Sequence, residues 1–107
     1  MYGLVEEMRE RVGDKAYVVG YGHLGDGNLH LNVVADAYSD RLTSLIEPYV
    51  YEQTQALGGS VSAEHGLGQM KSHCIGYTKD SSAVSMMNLM KKTLDPKGIL
   101  NPYKVLP

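Results

Sequence analysis

Two histidines separated by a short glycine-rich stretch are the strongest chemical feature of the sequence. His23 and His30 flank residues 24–29, Leu-Gly-Asp-Gly-Asn-Leu, in which Asp-Gly is typical of a two-residue hairpin turn. With Asp26 and Gly27 at the centre of that turn, the two histidines would lie directly opposite each other, with Cβ atoms roughly 4.5–5.5 Å apart. Two imidazoles at that separation can share a zinc ion. The spacing therefore predicts half of a metal site.

A third ligand is needed, because catalytic zinc usually has three protein ligands of histidine or carboxylate type. Glu64 is the best candidate, since the glycine-containing stretches 58–59 and 66–68 allow its backbone to approach another segment closely. We predict that the neighbouring His65 points elsewhere and serves as a base. Asn32 is expected on the same strand face as the histidine pair.

The predicted pairing depends on the turn type, because a register one residue away would send the two histidines to opposite faces. Paired histidines can also be merely hydrogen-bonded or solvated, so a structural role remains an alternative at this point. A calcium loop is disfavoured, because no glutamate follows Asp26 at the spacing that calcium loops require.

The elements that must position these residues follow from hydrophobic periodicity. We predict helices over residues 2–12, 39–57 and 81–94, strands over 16–21 and 29–35, and a short edge strand over 60–62. Pro48 is expected to kink the second helix, and the alternative is that it begins a separate helix. These elements predict an α+β fold, a small antiparallel sheet with helices on one face. Such a sheet is near the lower limit for independent stability, which suggests missing partners.

Two further segments carry structural predictions. The last helix has a methionine-rich apolar stripe that indicates adaptable core or an interface, formed by Ala83, Met86, Met87, Met90 and Leu94. Residues 94–102, rich in proline and glycine, predict an ordered turn.

Composition excludes several classes of protein. The chain has 107 residues, enough for at most one domain, and a net charge of −2 without a basic stripe, so nucleic-acid binding has no support. Its single cysteine, Cys74, cannot form an internal disulfide and is expected to be buried. The sequence contains no apolar run long enough to cross a membrane, and no targeting signal is recognised.

Three motifs resemble the C-terminal domain of FAD-linked oxidases, in the branch of D-2-hydroxyglutarate and D-lactate dehydrogenases. They are Gly-His-Leu-Gly-Asp-Gly-Asn-Leu-His at 22–30, Ser-Ala-Glu-His-Gly-Leu-Gly at 62–68, and Leu-Asp-Pro-Lys-Gly-Ile-Leu-Asn-Pro at 94–102. The similarity covers essentially the whole chain, in the order of the family. The glutarate branch is favoured by Tyr103, because many relatives have glycine before the following lysine.

The resemblance implies a role for each of the candidate residues. His23, His30 and Glu64 would ligate Zn²⁺, Asn32 and His65 would contact the substrate, and His65 would be the general base. Residues 1–107 would form the C-terminal portion of a ferredoxin-like substrate- and metal-binding domain. The FAD-binding domain is absent from this chain and would bind most of the FAD, with Asn101 near the flavin.

The implied reaction is FAD-dependent oxidation of an (R)-2-hydroxy acid, in first place D-2-hydroxyglutarate to 2-oxoglutarate, and the chain alone would be inactive. Alternatives are a D-lactate dehydrogenase of the same family, a metal-dependent hydrolase and a non-catalytic interaction module. Implied partners are the hydroxy acid, the FAD-binding domain and an electron acceptor, with a homodimer as one candidate assembly. Eukaryotic members are usually mitochondrial; otherwise a cytoplasmic location is expected.

Overall fold

The structure, a computed structural model, describes all residues from 1 to 107. It divides into two compact units, Met1–Gln53 and Thr54–Pro107. In chain order the main elements are α1 (Tyr2–Val12), β1 (Tyr17–His23), β2 (Asn28–Val34), α2 (Asp40–Ala56) and α3 (Ser81–Leu94). Short 3₁₀ helices span Gly13–Lys15 and Ser72–Tyr77. No helix is both long and apolar enough to cross a membrane.

The first unit is a two-stranded antiparallel hairpin with helices packed on one of its faces. Alternate residues of the strands turn inward, as the two-residue period of a strand requires. They meet apolar side chains of α1 and α2 in a core whose buried members are Val5, Met8, Val12 and Val18. The predicted α+β fold, with helices on one sheet face, is confirmed.

Two arginines fasten α1 to the other elements of this unit. Arg9 donates from Nε to the carbonyl oxygen of Val18 over 3.1 Å, which ties α1 to β1. Arg11 donates from Nε to the carbonyl oxygen of Leu45 over 2.6 Å. Its guanidinium also lies 4.4 Å from the ring centroid of Tyr49, a cation–π contact with α2. These contacts hold both helices against the same face of the hairpin. We call the other face, on which no helix of this unit packs, the open face.

The helix ends agree with the sequence patterns. Gly13 follows α1 with a φ of 57°, a conformation that glycine adopts without strain. The hydroxyl of Ser39 accepts a hydrogen bond from the backbone N–H of Leu42, over 3.4 Å, at the start of α2. Residues 40–56 form one helix, α2, and Pro48 lies inside it.

The second unit contains no strand. Residues 61–65 form turns, so the edge strand predicted at 60–62 was wrong. The carbonyl oxygens of Ser60 and Ser62 instead accept local bonds, from the backbone N–H of Ala63 at 3.1 Å and of His65 at 3.0 Å. Cys74 is buried in this unit, as expected.

The last helix, α3, has the predicted bounds but not the predicted burial. Asp80 caps its N-terminus by accepting a hydrogen bond from the backbone N–H of Ala83 over 2.8 Å. None of its residues is buried, and the apolar stripe is exposed at Met86, Met90 and Leu94. The expectation of core packing is therefore wrong for this helix, and the interface alternative remains a prediction.

An ordered turn follows α3 and is organised by one buried carboxylate, as the proline and glycine pattern predicted. Asp95 is 7 % exposed. Its carboxylate accepts hydrogen bonds from Lys91 Nζ at 2.7 Å and from the backbone N–H groups of Ile99 at 3.1 Å and Leu100 at 3.0 Å. Lys91 Nζ also donates to the carbonyl oxygen of Leu100 over 2.6 Å. The turn thus has a charged centre, and both carboxylate oxygens are hydrogen-bonded.

Replacing Asp95 by asparagine should lower the melting temperature by roughly 4–8 °C at pH 7. The hydrogen bond from Lys91 holds the pKa of Asp95 below its ordinary value, against the opposing effect of burial. Because this pKa is lowered on folding, the carboxylate stabilises the fold above its ordinary pKa, and that contribution is lost as the pH falls through the folded-state value. The difference from wild type should therefore shrink below about pH 4 in thermal melts.

The matched control for this experiment is Asp36→Asn, at an exposed position. It should leave the melting temperature unchanged at every pH. A deficit in Asp95→Asn that stays constant down to pH 2.5 would contradict a role for the ionised carboxylate.

Candidate metal and substrate site

The hairpin register differs from the predicted one. Tyr21 is paired with His30, and His23 is paired with Asn28. The two-residue turn centred on Asp26-Gly27 was therefore wrong, since four residues, 24–27, connect the strands. The reason is local, because the side chain of Asp26 accepts a hydrogen bond from the backbone N–H of Asn28 over 3.2 Å and closes a wider turn.

His23 and His30 lie on the same face of the hairpin despite this difference in register. The observed pairing lies two residues from the predicted one, and a shift of two leaves every side chain on its original face. His23 and His30 are consequently diagonal neighbours, with ring centroids 5.8 Å apart and planes at 64°. A ring nitrogen of His23 lies within 4.8 Å of a ring nitrogen of His30. Tetrahedral zinc needs roughly 3.3 Å between two nitrogen ligands, so small side-chain rotations suffice.

The carboxylate of Asp26 lies next to His23, the more exposed histidine of the pair. His23, whose side chain is 53 % exposed, has its Nδ1 3.6 Å from Oδ2 of Asp26. Metal-binding histidines commonly have a carboxylate against the ring nitrogen that does not face the ion. Asp26 thus closes the turn and also lies where it can orient the ring of His23.

Glycine is required at residue 22, between Tyr21 and His23. A Cβ atom there would overlap the carbonyl oxygen of Asn28, and the residue has a φ of 155°. The two strands therefore approach closely beside the histidine pair. Any side chain at this position would push apart the strands that carry both rings.

The open face of the hairpin carries other polar groups. Asn32 lies on this face, as predicted, but its cross-strand partner is Val19 and not Tyr21. Asn28, opposite His23 on the same face, has a buried Oδ1 atom without a hydrogen-bond partner. Buried polar atoms are rarely left unpaired. A bound ion or ligand could interact with this unpaired oxygen, which lies on the face that carries both imidazoles. The donor set of this face therefore fits a metal ion.

Tyr21 is a residue of this face that the sequence analysis missed. Its ring stacks on that of His30, with centroids 5.1 Å apart and planes 9° from parallel. The predicted register placed Tyr21 across from Asn32 instead. Only the wider turn brings Tyr21 and His30 together, and the capping ability of Asp26 is the sequence signal that could have indicated it.

In the second unit, Glu64 and His65 lie in a tight turn. Ala63 has a φ of 43° and Gly66 a φ of 78°, both in the left-handed region. His65 Nε2 lies 3.4 Å from Glu64 Oε1, with side chains 70 % and 45 % exposed. The prediction that His65 points away from Glu64 was therefore wrong, because the turn brings the neighbouring side chains together. A carboxylate that contacts an imidazole can orient its ring.

The end of the chain fastens the loop that follows this turn. The backbone N–H of Val105 donates to the carbonyl oxygen of Gly68 over 2.7 Å, and Lys104 Nζ donates to Oε1 of Gln69 over 3.0 Å. Asn101 is exposed in the same terminal segment, with a φ of 47°. This segment thus supports the backbone just beyond the Glu64–His65 turn.

Comparisons with known proteins place nearly the whole chain in one family. Residues 1–105 match the family described as FAD linked oxidases, C-terminal domain. The chain is 62 % identical over 107 residues to the mitochondrial D-2-hydroxyglutarate dehydrogenase of Arabidopsis thaliana, and 59 % identical over 108 residues to that of Rattus norvegicus, with 100 % of the chain covered in both. A D-2-hydroxyglutarate–pyruvate transhydrogenase of Saccharomyces cerevisiae is 45 % identical over 87 residues, or 81 % of the chain. The chain spans about a fifth of these relatives, 19 %, 20 % and 18 % of their length.

Proposed function

Because the chain belongs to the C-terminal domain family of FAD-linked oxidases, we propose that it forms the substrate- and metal-binding part of an FAD-dependent dehydrogenase of (R)-2-hydroxy acids. The names of the relatives support D-2-hydroxyglutarate as the substrate and 2-oxoglutarate as the product. They also support a mitochondrial location. The FAD-binding domain and an electron acceptor are the proposed partners.

The proposed metal is zinc, held by His23, His30 and Glu64. The observation that carries this proposal is the histidine pair, whose rings share one face of the hairpin with ring nitrogens within 4.8 Å. The family motifs supply Glu64, an exposed carboxylate in a glycine-containing turn. Two histidines and a carboxylate are a set typical of catalytic zinc. When bound, zinc would supply Lewis-acid chemistry, fixing the hydroxyl and carboxylate of the hydroxy acid and lowering the pKa of that hydroxyl.

The remaining residues have proposed roles toward the substrate. His65 takes the proton of the substrate hydroxyl, and Glu64, whose Oε1 lies 3.4 Å from His65 Nε2, orients its ring. Asn32 donates a hydrogen bond from its side-chain amide to a substrate carboxylate. When bound, FAD would supply the acceptor for the hydrogen on C2 of the substrate and the two electrons of that C–H bond, and Asn101 is proposed to lie near the flavin.

Metal analysis of the purified chain tests the site. We expect one zinc ion per chain, removed by chelation and restored by added zinc, with circular dichroism showing that the chain is folded. A folded chain that binds no zinc at micromolar concentration would contradict the metal site and favour a non-catalytic interaction module.

Flavin reduction in the flavoprotein that carries this domain tests the reaction. We expect D-2-hydroxyglutarate to bleach the flavin absorbance and its L enantiomer to leave it unchanged. Bleaching by D-lactate alone would assign the chain to the lactate branch. Substrate turnover without flavin reduction would favour a metal-dependent hydrolase.

A further inference from the structure

Three aromatic rings lie close together on the open face of the hairpin. Tyr21 stacks in parallel on His30, and His30 meets the ring of His23 edge to face. Tyr21 and His30 are also direct cross-strand partners, so the backbone ladder fixes their separation. The ring of His30 contacts both of the others, and the residue is half-buried.

The plane of an imidazole decides where its nitrogen lone pairs point. Rotation about the last side-chain bond of histidine is soft, so a ring on an open sheet face would sample many orientations. A tyrosine ring held 5.1 Å away and within 9° of parallel restricts that rotation. A ligand that is already oriented loses less freedom when it binds an ion.

We propose that Tyr21 is a positioning residue for the metal-binding role of His30. It acts through its ring face, which holds the plane of His30 so that a nitrogen is directed toward the position shared with His23. The inference rests on the proposed zinc site. It assigns no contact between Tyr21 and the ion or the substrate.

Zinc affinity of the full chain, measured by competition with a chromophoric chelator, tests this role. Tyr21→Val keeps a residue that favours strands and removes the ring, and it should weaken zinc binding by about 10- to 100-fold, as loss of a group that orients a ligand typically does. Tyr21→Phe keeps the ring and should bind zinc within about threefold of wild type. Tyr17→Val is the matched control, since Tyr17 is an exposed tyrosine on the same strand face, paired with Val34.

Nuclear magnetic resonance of the metal-free chain gives a second readout. The ring protons of His30 should be shifted by the ring current of Tyr21 in wild type and in Tyr21→Phe, and the shift should be lost in Tyr21→Val. Tyr21→Leu repeats both measurements should the valine variant be unfolded.

The outcomes separate this inference from the proposed function. Zinc binding by wild type together with equal affinity in Tyr21→Val overturns the positioning role alone, as does an unchanged His30 shift in that variant. A wild-type chain that binds no zinc overturns the zinc site and the inference with it. Weak binding by both Tyr21→Phe and Tyr21→Val would assign the effect to the hydroxyl and contradict a role for the ring face.

Discussion

Replacing His65 by alanine should lower the turnover of the flavoprotein by about 10²- to 10⁴-fold while zinc stays bound. The variant lacks the group proposed to take the hydroxyl proton, whereas the three proposed ligands remain. Stopped-flow measurement of flavin reduction by D-2-hydroxyglutarate gives the rate, and elemental analysis gives the zinc content.

His73→Ala is the control for this variant, because His73 is an exposed histidine of the second unit outside the proposed site. It should leave both rate and zinc content unchanged. Retained turnover in His65→Ala would contradict the assignment of the base. Loss of zinc together with turnover would instead make His65 part of the metal site.

Replacing His30 by alanine should weaken zinc binding of the chain by more than about 10²-fold. This loss is larger than the loss of about 10- to 100-fold expected for Tyr21→Val, because His30 is a proposed ligand and Tyr21 only orients it. His23→Ala should have a loss of similar size, because the two rings are proposed to share one ion. Isothermal titration with zinc measures both affinities, and His73→Ala again serves as the control. Zinc binding that depends on one histidine of the pair and not on the other would contradict the shared site.

Local periodicity predicted the helices well because their signals are contained within each segment. The bounds of α3 agree with the prediction, since the apolar spacing begins after Asp80, whose side chain caps the helix. Burial of its stripe was not predictable in the same way. A stripe shows that one side is apolar, but it does not show what covers that side, and Met86 and Leu94 are exposed.

The hairpin shows which part of the candidate site a sequence can predict. The shared face of His23 and His30 followed from the two-residue period of strands, and it survived an error of two residues in the register. The direct partner of His30 did not follow, because the register depends on one hydrogen bond made by the side chain of Asp26. Contact between Glu64 and His65 was equally out of reach, since it depends on the left-handed backbone of Ala63.

The two-stranded sheet has a practical consequence for all of these measurements. With the order β1-β2, each strand has a neighbouring strand on one side only. A strand edge of this kind is a template on which an extended segment of another chain can add. Pairing between copies of the chain at these edges would increase with protein concentration, so we expect zinc affinities and His30 shifts to be informative only when they are compared over a dilution series. A value that is independent of concentration describes the site itself.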